Sequence, residues 1–123
     1  MNVPIKGEMT AEVLDDMQAN AQRATEFLKA LAHEGRLMIL CHLAAGEKSV
    51  TELEDLLNAR QAAVSQQLAR LRHAGFVTCR REGKAMYYTL PEGPVRDMIG
   101  ILYEMFCAEK EASASATPRA RLL

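Results

Sequence analysis

The sequence predicts a mainly α-helical domain with one β-hairpin, in the order helix, helix, short helix, helix, hairpin, helix. Three observations predict it. Apolar residues recur at spacings of three and four along five segments. Two β-prone runs flank the short Gly-bearing stretch Glu82-Gly83-Lys84. A tight turn at Asn58 and Ala59 joins the short helix to the next one, the helix-turn-helix arrangement. A chain of 123 residues fits one domain with a modest core.

Each element has its own local signal. Thr10 can cap a first helix running to about Leu31. Its stripe of Leu14, Met17, Ala21, Ala24, Leu28 and Leu31, widened by Val13 and Phe27, has the a/d spacing of a helix-helix seam. A second helix is expected from Glu34 to about Ala45, with Leu37, Leu40, Cys41 and Ala44 on one face and Gly46 as its stop. Ser49 with Glu52 three residues on makes a capping box for a short helix from Val50 to Leu57. There Val50, Leu53, Leu56 and Leu57 are expected to face inward. The next helix should run from Gln61 to Ala74 with Val64, Leu68 and Leu71 inside, ended by Gly75. Strands are expected at Phe76–Arg81 and Ala85–Leu90, and a last helix from Val95 to about Glu109, with Val95, Met98, Ile99, Leu102, Met105 and Phe106 at helical spacing. The folded domain is expected over residues 10–110. Residues 1–9 should be flexible, and the Ala, Ser, Thr, Pro and Arg composition of residues 111–123 points to a disordered tail.

Bulk properties narrow the function classes. No apolar run approaches the roughly 20 residues of a membrane helix, and the first residues hold no secretory h-region, so a cytoplasmic protein is expected. Three cysteines in such a chain are not expected to make structural disulfides. With no Trp, three Phe and three Tyr, aliphatic side chains and seven Met must fill the interior. The net charge of −1 hides an uneven distribution. Residues 1–59 hold five Lys/Arg against ten Asp/Glu; residues 60–88 hold six against the single Glu82. A solvated basic face would explain that charge alone, but it coincides with the helix-turn-helix and the hairpin. Together they read as a phosphate-binding surface.

On the fourth helix Gln61, Ser65, Gln66, Gln67 and Arg70 are candidate DNA contacts, and the small Ala62 and Ala63 permit close approach to the major groove. Gln suits adenine and Arg suits phosphate. The hairpin adds Arg80, Arg81 and Lys84, in place for phosphates or the minor groove, with Tyr87 or Tyr88 as a further phosphate donor. The fold class is therefore a winged helix-turn-helix.

Several stretches in order, Ala30-Leu31-Ala32-His33-Glu34-Gly35-Arg36-Leu37-Met38-Ile39-Leu40, Val64-Ser65-Gln66-Gln67-Leu68 through His73-Ala74-Gly75-Phe76-Val77, Arg80-Arg81-Glu82-Gly83-Lys84 and Tyr87-Tyr88, resemble the ArsR/SmtB family of repressors. The resemblance spans about residues 12–108. It implies a homodimer built on the first and last helices, with Leu14, Met17, Ala21, Ala24, Met98, Leu102, Met105 and Phe106 at the interface. Such a dimer would read two half-sites of a near-palindromic operator.

Many members of that family sense metals. One site type uses cysteines on the short third helix, where this chain has Ser49 and Thr51. Another uses Asp and His on the last helix, where it has Asp97 but no His after His73. Neither donor set is complete, so no metal or other cofactor is expected. His33, His42 and His73 read as surface or packing residues. Cys41 and Cys107 read on pattern as core residues. However, Leu40-Cys41-His42-Leu43 with Glu104-Met105-Phe106-Cys107 resembles the sulfide-responsive subgroup that includes SqrR and BigR. That resemblance implies a dithiol switch, with persulfide or another reactive sulfur species as the inducer and a disulfide or polysulfide bridge as the product. Cys79 lies outside the motif and reads as structural. Three other readings stand beside this one. A metal-responsive repressor of the same fold would use Cys41, Cys107 and a His. A thiol enzyme would need a base and an open pocket around Cys41. A dimerisation module without DNA binding sits badly with the intact basic hairpin.

Overall fold

A computed structural model of the chain describes residues 8–107. They form α1 (Ala11–Leu31), α2 (Glu34–Ala44), β1 (Lys48–Ser49), α3 (Val50–Leu57), α4 (Gln61–His73), β2 (Thr78–Glu82), β3 (Ala85–Thr89) and α5 (Pro94–Phe106). The expected flexible start and disordered tail lie almost wholly outside the described residues.

Local chemistry sets most boundaries. Thr10 Oγ1 accepts from the Val13 amide at 3.2 Å and starts α1. The capping box of α3 is complete: Glu52 N–H donates to Ser49 Oγ at 3.1 Å and Ser49 N–H to Glu52 Oε1 at 2.7 Å. Asn58 ends α3 in the left-handed region, φ 52°. α4 closes in a Schellman motif: Gly75, φ 82°, donates to Arg72 O at 2.9 Å and Phe76 to Leu71 O at 2.9 Å. Phe76 and Leu71 are both buried, which supplies the motif's apolar contact.

That motif explains one departure from expectation. Phe76 and Val77 belong to the helix exit and the core, so the strand begins at Thr78 and not at Phe76. The second strand and the second and fourth helices each stop one residue short of the expected end, and α5 starts at Pro94, one residue earlier. α5 ends at Phe106, with Cys107 outside the helical turn and residues 108–109 beyond the described range. A third strand was not foreseen. β1 has two residues and pairs antiparallel with β3, Lys48 opposite Tyr88 and Ser49 opposite Tyr87, giving the sheet order β1-β3-β2. Two residues are too few to show a period.

The core is aliphatic. Leu40, Leu53, Leu68 and Leu71 have no exposed surface, and Ile39, Leu43 and Leu90 retain about 1 %. Burying a side chain of this size contributes roughly 1.5–3 kcal/mol. α2 supplies the middle of the core and touches α3, α4, α5 and β3. Leu56, expected inside, is 50 % exposed. α1 behaves differently. Only Leu31 at its end is buried, while Phe27 stacks on Phe76 with ring centroids 5.2 Å apart. Arg96 fastens α5 by donating to Ala44 O at 3.1 Å and Leu90 O at 2.6 Å.

Candidate nucleic-acid interface and thiol pair

α4 turns its apolar stripe of Val64, Leu68 and Leu71 inward. At 100° per residue this sends Ala62, Gln66, Ala69 and His73 outward. Gln61, Ala63, Ser65 and Arg70 are exposed beside them. The expected contact positions Gln61, Ala62, Ala63, Ser65, Gln66 and Arg70 therefore share one open surface.

Gln67 does not share it. The residue is half-buried on the flank facing α2, and its Oε1 accepts from Arg36 Nη1 at 2.9 Å. Arg36 also donates from Nε to Ala30 O at 2.7 Å and from Nη2 to Lys29 O at 3.3 Å. The reason is angular: position 67 lies one step from the core stripe. The expectation that Gln67 reads bases is corrected accordingly.

The hairpin also separates its basic residues. Arg81 and Lys84 are exposed and have no ion pair among the described residues. Arg80 is held by carboxylates. Its Nε and Nη2 each lie 2.9 Å from Glu47, and its Nη1 lies 2.6 Å from Glu82. Its guanidinium carbon also stands 4.8 Å from the Tyr87 ring centroid. The fork of hydrogen bonds holds the Glu47 carboxyl below the usual carboxylate range. Arg80 is therefore not the free phosphate ligand expected, and half-buried Tyr87 sits beneath it. Composition alone could not show this, because Glu47 precedes the basic segment.

Other polar residues carry roles with no sequence signal. Arg36 is the clearest; only the His33 ring, whose Nδ1 accepts from Arg36 N–H at 3.3 Å, hinted at a built helix start. Lys29 and His73 line, with Arg36, Gln66 and Arg70, an open cleft of about 650 Å³ between α1 and α4. Glu26 stands in the same cleft.

The two outer helices expose large apolar side chains. Leu14 is 54 %, Met17 48 %, Met105 57 % and Phe106 45 % exposed. Ala21 is exposed, and Ala24, Met98 and Leu102 are half-buried. Single apolar residues on a surface are ordinary, but two contiguous stripes are the mark of an interface.

All three thiols are free: Cys41 and Cys79 are half-buried and Cys107 is exposed. Burial first, and the charge of Cys107 second, push the Cys41 thiol up. That second cause requires α2 and the end of α5 to bring the two sulfurs into one neighbourhood. Cys79 stands apart, opposite Tyr88 in the hairpin register. Among the described residues no three His, Cys, Asp or Glu side chains group to hold a metal ion. No described helix is long and apolar enough to cross a membrane.

Comparison with known proteins agrees with this architecture. Residues 33–78 match the family described as bacterial regulatory protein, arsR family. A biofilm growth-associated repressor from Agrobacterium fabrum is 50 % identical over 98 residues, covering 77 % of this chain and 84 % of that protein. The solved repressor BigR from Xylella fastidiosa superimposes with a TM-score of 0.71 at 41 % identity, over 76 % of this chain and 96 % of its own. Reduced HlyU from Vibrio cholerae gives a TM-score of 0.70 at 43 % identity, over 75 % and 97 % of the two chains.

Proposed function

Because this chain belongs to the ArsR family of bacterial regulatory proteins, a family of DNA-binding regulators and not of enzymes, we infer that it is a transcriptional repressor whose operator binding is switched by the Cys41–Cys107 thiol pair. The repressor role follows relatives named as repressors. The single observation that supports the switch is the electrostatic influence of Cys107 on Cys41 across two helices.

The reduced protein binds near-palindromic operator DNA as a homodimer joined through the apolar stripes of α1 and α5. Gln61, Ala63, Ser65, Gln66 and Arg70 of α4 enter the major groove, and Arg81 and Lys84 meet the phosphates. The inducer is a low-molecular-weight persulfide, RSSH. The exposed Cys107 thiolate attacks its sulfane sulfur; the S–S bond of RSSH breaks, and RS⁻ leaves and is protonated to RSH. The Cys41 thiolate then attacks the inner sulfur of the Cys107 persulfide, expelling HS⁻, which is protonated to hydrogen sulfide. Two thiols are oxidised to one disulfide, and one persulfide is reduced to RSH and hydrogen sulfide. With two equivalents of RSSH both cysteines become persulfides, which combine to a trisulfide and hydrogen sulfide. A disulfide requires Cα atoms about 4.4–6.8 Å apart, and each added sulfur relaxes that limit.

The bridge ties α2 to the end of α5 and resets the two reading heads of the dimer. A coupling of about 1–3 kcal/mol corresponds to roughly 5–150-fold weaker DNA binding. The test is an anisotropy titration of an operator duplex from the chain's own operon with reduced and glutathione-persulfide-treated protein. Treatment should weaken binding, and mass spectrometry should find Cys41 joined to Cys107. Release that persists in Cys41→Ser would overturn the reading.

A further inference from the structure

The DNA-reading helix and the thiol-bearing helix are joined by a specific polar contact. Arg36 lies on α2, five residues before Cys41, or about 7.5 Å along the axis at 1.5 Å per residue. Its guanidinium fork engages three partners at once: the Ala30 and Lys29 carbonyls at the end of α1, and Gln67 Oε1 on α4. One half-buried side chain thus pins α1, α2 and α4 at a common point.

The surroundings of that point are built to hold Arg36. His33 caps α2 through Nδ1. The cap requires that nitrogen to be unprotonated, which places the ring proton of the neutral form on Nε2. Gln67 Nε2, 3.5 Å away, is itself a donor, so the His33–Gln67 approach is a donor facing a donor and holds nothing. Arg36 therefore fixes Gln67. Gly35 leaves room for the capping ring: a Cβ there would stand 3.1 Å from His33 Cε1. A cleft of about 520 Å³ between α2 and the start of α4, lined by His33, Met38, Leu57, Ala63 and Gln67, leaves α4 space to shift when that contact changes.

We propose that Arg36 is a positioning residue that transmits a displacement of α2 to the recognition helix through its hydrogen bond to Gln67. This rests on the thiol-switch reading above. Gln67 faces α2 and not the groove, so its removal spares the base-reading surface. A merely structural contact would change the affinity of both redox states by one factor and leave their ratio alone. A transmitting contact changes the ratio.

The experiment measures operator affinity of the full-length wild type, Gln67→Leu, Gln67→Glu and Arg36→Lys, each reduced and after glutathione persulfide, with bridging checked by mass spectrometry. The wild type should weaken roughly 5–150-fold. Gln67→Leu should bridge equally, yet its reduced-to-bridged ratio should fall below about threefold. Gln67→Glu keeps an acceptor for Arg36 and should retain the wild-type ratio. If Gln67→Leu does not fold, Arg36→Lys, which replaces the fork with a single ammonium, should show the same loss. A wild-type ratio in bridged Gln67→Leu or Arg36→Lys overturns the proposal and leaves the switch standing. No release from bridged wild type overturns both.

Discussion

Cys41, half-buried in the middle of α2, lies close enough to exposed Cys107 at the end of α5 for the charge of one thiolate to raise the pKa of the other. The sulfurs come from segments far apart in sequence. A nucleophilic thiol must be ionised, so this relationship makes Cys41 the slower partner near neutrality and leaves the exposed Cys107 to meet the oxidant.

The pH dependence of Cys41 follows directly. Burial and the Cys107 charge both favour its neutral form, so its pKa is raised and its thiolate fraction at neutral pH is depressed. Its alkylation rate should climb about tenfold per pH unit from about pH 6 to 8 and level off above the ordinary thiol range. In Cys107→Ser the midpoint should fall, yet stay above that of a solvent-exposed thiol because burial remains. Iodoacetamide kinetics in Cys79→Ser backgrounds measure this, and an unchanged midpoint in Cys107→Ser would contradict the proximity of the two sulfurs.

The hairpin cations should divide by their partners. Arg81 and Lys84 carry no ion pair among the described residues, whereas Arg80 is engaged by Glu47 and Glu82. Arg81→Ala and Lys84→Ala should each lower the slope of log K against log salt by about 0.9 for every phosphate that the side chain neutralises in one protomer. Arg80→Ala should move it far less. Equal effects at all three positions would mean that Arg80 leaves its carboxylates on binding.

The apolar stripes should control assembly. Leu14 and Met105 are both more than half exposed, so Leu14→Glu and Met105→Glu should cost the folded chain under about 0.5 kcal/mol as surface changes. In a dimer each would bury an unpaired charge at the seam, a penalty of several kcal/mol. Light scattering should find monomers, with operator binding weakened accordingly. A dimer unaffected by both substitutions would place the interface elsewhere.

One stability prediction concerns the exit of α4. Gly75 sits at φ 82°, and no atom lies within 4 Å of where its Cβ would be. Gly75→Ala therefore isolates the backbone cost of the left-handed conformation, about 1–2 kcal/mol. Urea unfolding should show a lowered midpoint with an unchanged m-value. Because the Schellman motif orients Phe76 and the hairpin behind it, DNA affinity measured well below the unfolding midpoint should change little.

Most of the fold was legible because its signals are local. A capping box needs residues three apart, as Ser49 and Glu52 are; a Schellman stop needs a glycine at the right place, as at Gly75; and the stripe of α4 repeats within each turn. Leu56 misled for a related reason. It fits the apolar period of α3, but nothing in the protomer covers that edge. The two residues of β1 carried no readable pattern, and only their pairing with β3 makes them a strand.

By itself the sequence determined the order of elements, their caps, the apolar faces of α1 and α5, and the outward set Gln61, Ala63, Ser65, Gln66 and Arg70. All of these follow from the period of a helix and the chemistry of its ends. Tertiary structure alone decided that Gln67 belongs to Arg36 and not to the groove, that Arg80 is neutralised by Glu47, and that Cys41 lies beside Cys107. Each of these pairs lies far apart in the chain and meets only because the core of Leu40, Leu43, Leu68 and Leu71 brings the helices together. Hydrogen bonds and charges act over a few ångströms of space, whatever the separation in sequence.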